Sequence, residues 1–128
     1  MPLELNTVHT NDAPAAIGPY SQAVTCGNMV YLSGQLGSDP ATGIIPEDFA
    51  AQARQALTNL KAIVEAAGSS LERVVTVDVY LTEMTNFGAF NEVYAEFFSK
   101  HRPARAAIGV AALPREAQVE VRCIAALA

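Results

Sequence analysis

Three polar side chains sit in stretches that are otherwise apolar, and each has a chemistry open to it. Arg105 lies in RPARAAIGVAALP, where the chain from Pro103 to Leu113 is apolar except for this one guanidinium. The run reads as a buried strand, and a lone buried cation is expensive unless something compensates it. The side chain either escapes to water, meets a protein carboxylate, or holds the carboxylate or phosphate of a ligand through paired hydrogen bonds. Its same-face neighbours in a strand, Ala107 and Gly109, are small and leave room beside it. Asn91 falls on a predicted helix within or beside an apolar stripe, one turn from Phe87 and close to Tyr94. An unsatisfied buried amide there would cost ~1–3 kcal/mol, so it either ties down a loop or bonds a ligand or partner chain. Glu120 lies on the polar side of the last strand. It is either an exposed carboxylate or, if partly desolvated, a carrier of protons and holder of water. The strands bearing Arg105 and Glu120 are joined by a short loop around Leu113-Pro114, so antiparallel pairing would place both groups in one pocket. The pattern alone leaves that register open.

Other chemistries find less support. Ser21 and Ser33 are not in a nucleophile-elbow setting and have no evident His–acid partners. The glycines around Gly34 and Gly37 lack the Walker lysine and the dinucleotide spacing. His9 and His101 with Cys26 and Cys123 make a poor metal set, and the cysteines show no CxxC spacing. Reduced thiols fit better than a disulfide.

Secondary structure must position these residues. The first dozen residues are polar and read as a short strand or arm. SQAVTCGNMVYLSG reads as two strands around a Cys26-Gly27-Asn28 turn, and GSDPATGIIPED as a loop. The apolar spacing of Phe49, Ala53, Ala56, Leu57, Leu60, Val64 and Ala67 predicts a helix over Glu47 to Ala67, ended by Gly68. VVTVDVYLT predicts a strand with Val75, Val77, Val79 and Leu81 on one face. A second helix is predicted over Asn86 to Lys100, capped by Thr85 or Asn86, with Phe87, Phe90, Tyr94, Phe97 and Phe98 on one side. The Arg105 strand follows. In QVEVRCIAAL, Val119, Val121, Cys123 and Ala125 point one way while Gln118, Glu120 and Arg122 point the other. This order implies one α+β domain over residues 1–128, with both helices on one sheet face. The opposite face, given 51% hydrophobic residues, is expected to meet another subunit.

No stretch nears the ~20 apolar residues of a membrane span. The N-terminal MPLELNTVHTNDAP has neither the basic and apolar blocks of a secretory signal nor the arginines of a transit peptide, so a cytoplasmic location is expected. A net charge of −5 argues against a phosphate-backbone partner.

Beyond this reading, APAAIGPYSQAV, MVYLSGQLG, AAQARQALTNLKAIVEAAG, FNEVYAEFF, RPARAAIGVAALP and VEVRCIA, in that order, resemble the Rid/YjgF family of reactive-intermediate deaminases from about Ala13 to the end. The resemblance implies a chorismate-mutase-like mixed sheet of about six strands. It also implies a homotrimer whose sheets form a central barrel, with clefts between subunits. The implied activity is hydrolysis of 2-imino acids or their enamines, such as 2-iminobutanoate and 2-iminopropanoate, to 2-oxo acids and ammonia, with no cofactor and no metal. Carried over by motif, Arg105, Glu120 and Tyr20 are the implied catalytic residues. Arg105, Asn91, Ser33, Gly34 and Ala107 are the implied substrate-binding positions, Ala107 through its backbone where some members carry cysteine. Two other readings remain open: a translation inhibitor or endoribonuclease, as some relatives are described, and a non-catalytic binder of small carboxylates or chaperone-like protein.

Overall fold

The computed structural model describes residues 2–128. Its first strand, β1 (Leu5–Val8), pairs antiparallel with β2 (Ala23–Cys26), and β2 pairs with β3 (Met29–Leu32). The β2–β3 turn is Gly27-Asn28, with Gly27 at φ 58°, a conformation that favours glycine. A two-residue strand β4 (Gln35–Leu36) follows, then the GSDPATGIIPED loop.

Helix α1 spans Phe49–Ala66, two residues later at its start than the apolar spacing implied. Asp48 causes the difference: its side chain accepts a hydrogen bond from the Ala51 N–H at 2.9 Å and so ends the preceding loop as an N-cap. At the other end Gly68 N donates to Glu65 O and Ser69 N to Val64 O, both at 3.0 Å. This is the Schellman pattern, and Gly68 provides its left-handed residue at φ 89°.

Strand β5 (Val74–Leu81) departs from simple alternation. A bulge between Val74 and Thr76 shifts the register, so Val74 is buried and Val75 is 47% exposed. Val75 therefore leaves the predicted buried set, while Val77, Val79 and Leu81 stay in it. A 3-10 turn at Met84–Asn86 leads into α2 (Phe87–Phe97), shorter at both ends than its aromatic spacing suggested. Asn86 occupies the cap position but makes no capping bond through its side chain. Strand β6 (Ala104–Gly109) returns parallel to β5, and β7 (Val119–Ala126) runs antiparallel to β5, β3 and β4.

The seven strands form one mixed sheet in the order β1-β2-β3-β7-β5-β6, with β4 also paired to β7. Both helices cover one face. Ala53, Leu57, Leu60, Ile63 and Val64 of α1 and Phe90 and Val93 of α2 pack with Val30, Val77, Val79, Val119 and Val121. Alternation turns Tyr31, Asp78, Tyr80, Glu120, Arg122 and Ile124 to the opposite face. On that side Tyr31 is 47% exposed. The layout is the expected α+β one: a mixed sheet, two helices on one side, and an open face.

Candidate functional site

Arg105 is not buried, contrary to the reading of its apolar run. β6 is the edge strand, and Ala104, Arg105, Ala106, Ile108 and Gly109 are all exposed. The apolar character of RPARAAIGV therefore belongs to surface, not to the core of the single chain. In the parallel register Arg105 stands opposite Val77, a core residue, so its side chain rises on the helix-covered face. There α2 meets it. Arg105 Nη1 donates to Asn91 Oδ1 at 2.9 Å, and its Cζ lies 4.7 Å from the Tyr94 ring centroid and 5.5 Å from that of Phe87. Among the described residues, no carboxylate forms a salt bridge with it; the three ion pairs are Arg54–Glu96, Lys61–Glu65 and Arg122–Asp78. The guanidinium is thus held in place by an amide and two aromatic faces while its charge is left uncancelled. Ala107 shares this face and is partly buried against the core. Burial pushes the Tyr94 phenol up to about 12, against the opposing pull of Arg105, so it stays protonated at neutral pH.

Glu120 belongs to a different neighbourhood. β6 and β7 do not pair, because β5 lies between them; residues 110–118 carry the chain past β5. Glu120 stands opposite Tyr80 and Leu36, on the sheet face away from the helices. The shared single-chain pocket that antiparallel pairing would have made is therefore absent. Its carboxyl lies against Gly34, where an added Cβ would come within 2.8 Å of Glu120 Cδ. A side chain at position 34 would require the carboxyl to move from this place. Partial burial raises the Glu120 carboxyl above its ordinary range, with Arg122 opposing the shift. The offset is limited because Arg122 Nε already donates to Asp78 Oδ2 at 3.0 Å.

Glu120 and Gly34 open onto a cleft of about 680 Å³ that Pro14, Tyr20, Leu36 and Arg115 also line. Tyr20 is 52% exposed at its mouth. Ser33, by contrast, does not line the cleft. Its hydroxyl donates to Ser21 O at 2.6 Å and its backbone N–H to Gln22 O at 2.9 Å, so it fastens the loop that carries Tyr20.

Buried amides set the cleft walls, and these the sequence reading missed. Gln22 accepts from Thr10 N and donates to Thr10 O and Pro14 O, clasping the arm that forms one wall. Asn59 donates to Leu36 O and Ser38 O, and Gln52 accepts from Gln118 N, fixing loops on either side of β4 and β7. Gln52 and Asn59 lie two turns apart on the buried side of α1, and two amides recurring in an apolar stripe were the available signal. Arg115 was also missed. It adopts φ 58°, donates to Ser38 Oγ and Gly43 O, and pins the long loop to the cleft rim.

The chain therefore carries two separated sets: a guanidinium without a salt-bridge partner among the described residues, held by Asn91 on the helix side, and a carboxyl of raised proton affinity with Tyr20 and Gly34 in the cleft. Among the described residues no three His, Cys, Asp or Glu side chains cluster as metal ligands.

The comparisons with known proteins concern this whole architecture. The family model described as Endoribonuclease L-PSP matches residues 10–127. An Escherichia coli protein named 2-iminobutanoate/2-iminopropanoate deaminase is 47% identical over 122 residues, covering 93% of this chain and 95% of that protein. The crystal structure of E. coli TdcF with bound serine superposes at a TM-score of 0.93 with 43% identity, covering 96% of this chain and 98% of that one. A Thermotoga maritima structure with a provisional endoribonuclease name gives a TM-score of 0.93 at 48% identity, over 96% and 98% of the two chains. With a family match over nearly its full length and relatives this similar in both sequence and fold, the chain belongs to the Rid/YjgF, or L-PSP, family.

Proposed function

We propose that the protein hydrolyses small 2-imino acids, 2-iminobutanoate and 2-iminopropanoate, to the 2-oxo acid and ammonia. One observation carries this reading: the Arg105 fork is fixed by Asn91 yet unpaired with any acid among the described residues. A guanidinium held in that way matches the single carboxylate of an imino acid. The name of the E. coli relative points to the same substrate class.

In this mechanism Arg105 clamps the substrate carboxylate, and the backbone at Ala107 contributes to the same end of the site. Clamping places the imine carbon next to a water, and positioning of this kind is a large source of rate. Glu120 holds that water and takes its proton as the oxygen attacks carbon. The proton then passes to the imine nitrogen, giving a carbinolamine. Glu120 next takes the proton of the new hydroxyl and delivers it to the same nitrogen, so that the C–N bond breaks and ammonia leaves as the C=O bond forms. The raised proton affinity of Glu120 suits both halves of that exchange. Tyr20 hydrogen-bonds the substrate or relays the proton, Gly34 leaves room beside the carboxyl, and Ser33 acts through the loop it fastens. The uncatalysed hydrolysis is already fast, so neither metal nor strong nucleophile is required of this mechanism.

The two sets of residues are joined by assembly. A homotrimer, formed through the open sheet face and the β6 edge, sets Arg105 and Asn91 of one protomer beside Glu120, Tyr20 and Gly34 of the next. Such a site takes a small carboxylate substrate and works in the cytoplasm as a single-domain enzyme.

A coupled assay tests the reading. Threonine dehydratase generates 2-iminobutanoate, semicarbazide traps what persists, and the protein competes for it. Wild type should suppress semicarbazone formation, and Arg105→Ala should not, while remaining folded and assembled. Equal trapping with and without the wild-type protein would overturn the proposal. The names carried by the family model and the Thermotoga structure favour RNA cleavage as a second reading. The net charge of −5 weighs against it. RNA cleavage by purified wild type that Arg105→Ala leaves intact would point to a separate activity.

A further inference from the structure

Arg105 stands on an edge strand with almost nothing of that strand to hold it. Its same-face neighbours Ala107 and Gly109 have no side chain long enough to brace a guanidinium, and the strand is exposed. An arginine free to sample its rotamers must be frozen when a ligand binds, at a cost of about 0.5–1.5 kcal/mol for such a side chain. Yet this guanidinium has three contacts, all from one helix. Phe87, Asn91 and Tyr94 follow the i, i+4, i+7 spacing that stacks side chains along one helix face. Asn91 takes one N–H through its Oδ1, at 2.9 Å. The Tyr94 ring lies beneath Cζ at 4.7 Å and the Phe87 ring at 5.5 Å.

Tyr94 is itself immobilised. Its ring packs between those of Phe90 and Phe98, at centroid distances of 5.6 and 4.7 Å, and both of those phenylalanines are buried. A rigid column therefore runs from the core to the face of the guanidinium. The Tyr94 hydroxyl is buried and has no hydrogen-bond partner among the described residues, so it is the ring, not the phenol oxygen, that meets Arg105.

We propose that Tyr94, assisted by Phe87, is a positioning residue for the carboxylate clamp. Its ring face sets the plane of the Arg105 fork, Asn91 sets its rotation, and the remaining guanidinium donors are presented in advance to the substrate carboxylate. This inference rests on the deaminase reading of Arg105 and adds the device that prepares it. It assigns function to the aromatic face and none to the hydroxyl.

The test measures binding of 2-oxobutanoate, the product carboxylate, by calorimetry alongside kcat and KM in the coupled assay. Tyr94→Leu should raise Kd and KM about tenfold, close to 1.4 kcal/mol, with kcat changed far less. Tyr94→Phe keeps the ring and should rescue capture to within about twofold of wild type, the margin expected when the stacking face is preserved. Phe87→Leu, at the longer distance and partly exposed, should give a smaller loss in the same direction and serves if Tyr94→Leu does not fold. Adding Tyr94→Leu to Arg105→Ala should cost nothing further, because the ring acts only through the guanidinium. Tight 2-oxobutanoate binding by Arg105→Ala would sink the clamp itself. If Arg105→Ala loses binding but Tyr94→Leu and Phe87→Leu do not, or if the losses add in the double variant, the clamp stands and the positioning role is overturned.

Discussion

Replacing Glu120 with Gln removes a charge while keeping shape, and the structure gives its consequences a sign. The carboxyl is half-buried against Gly34, and its proton affinity is raised by burial. Folded protein therefore holds this proton to higher pH than unfolded chain does. In the window between the unfolded value, about 4.3, and the higher folded value, the folded state binds more protons. Stability falls as pH rises through that window, because the slope of unfolding free energy follows protons bound by the unfolded state minus those bound by the folded state. Above that window wild type carries a partly desolvated carboxylate that Arg122 offsets only in part, and Glu120→Gln does not. Urea denaturation from pH 4 to pH 8 should show the variant gaining on wild type as pH rises, with the difference level once Glu120 is fully ionised. Activity should move the other way. Loss of a positioned acid–base group typically costs about 10²–10⁴-fold in kcat, and the lower end applies here because water attacks imines readily by itself. Binding of 2-oxobutanoate should change less than kcat, since the carboxylate is clamped by Arg105 and Glu120 acts on the water. Matching pH–stability curves for the two proteins would refute the electrostatic argument. An unchanged kcat would refute the proton-carrying role.

Other perturbations test the scaffold. Asp48→Ala, which strips the cap bond to Ala51, should lower stability by about 1 kcal/mol in chemical denaturation without altering the coupled assay. Phe90→Ala should cost about 3–5 kcal/mol, since this fully buried ring joins α2 to the sheet. The Cys123 thiol, pushed up to about 12 by burial, should resist Ellman's reagent at pH 8 in the native protein and react once urea unfolds it.

The sequence carried most of the elements because local physics writes them there. The β2–β3 turn needs a left-handed residue and has Gly27; α1 ends where Gly68 can adopt φ 89°; β7 alternates because one face is buried and the other is not. Local pattern was less informative at Val75, where a bulge reversed the facing, and at the start of α1, where Asp48 claimed the cap. For the site, Arg105, Asn91 and Glu120 stood out as polar groups in apolar surroundings, and Tyr20, Ser33, Gly34 and Ala107 entered through family resemblance. The cleft-building amides Gln22, Gln52 and Asn59 were hidden because a glutamine or asparagine reads the same whether it clasps a loop or faces water.

By itself, then, the sequence determined the α+β class, the order of elements and the chemical character of the candidate groups, since these depend on propensity, periodicity and side-chain type. Only the tertiary structure decided who meets whom. It placed β5 between β6 and β7, turned Arg105 toward α2 and Glu120 toward the open face, and made an apolar run an exposed edge. Strand order and register are long-range outcomes of how sheet and helices pack, and a chain read residue by residue contains no term for them.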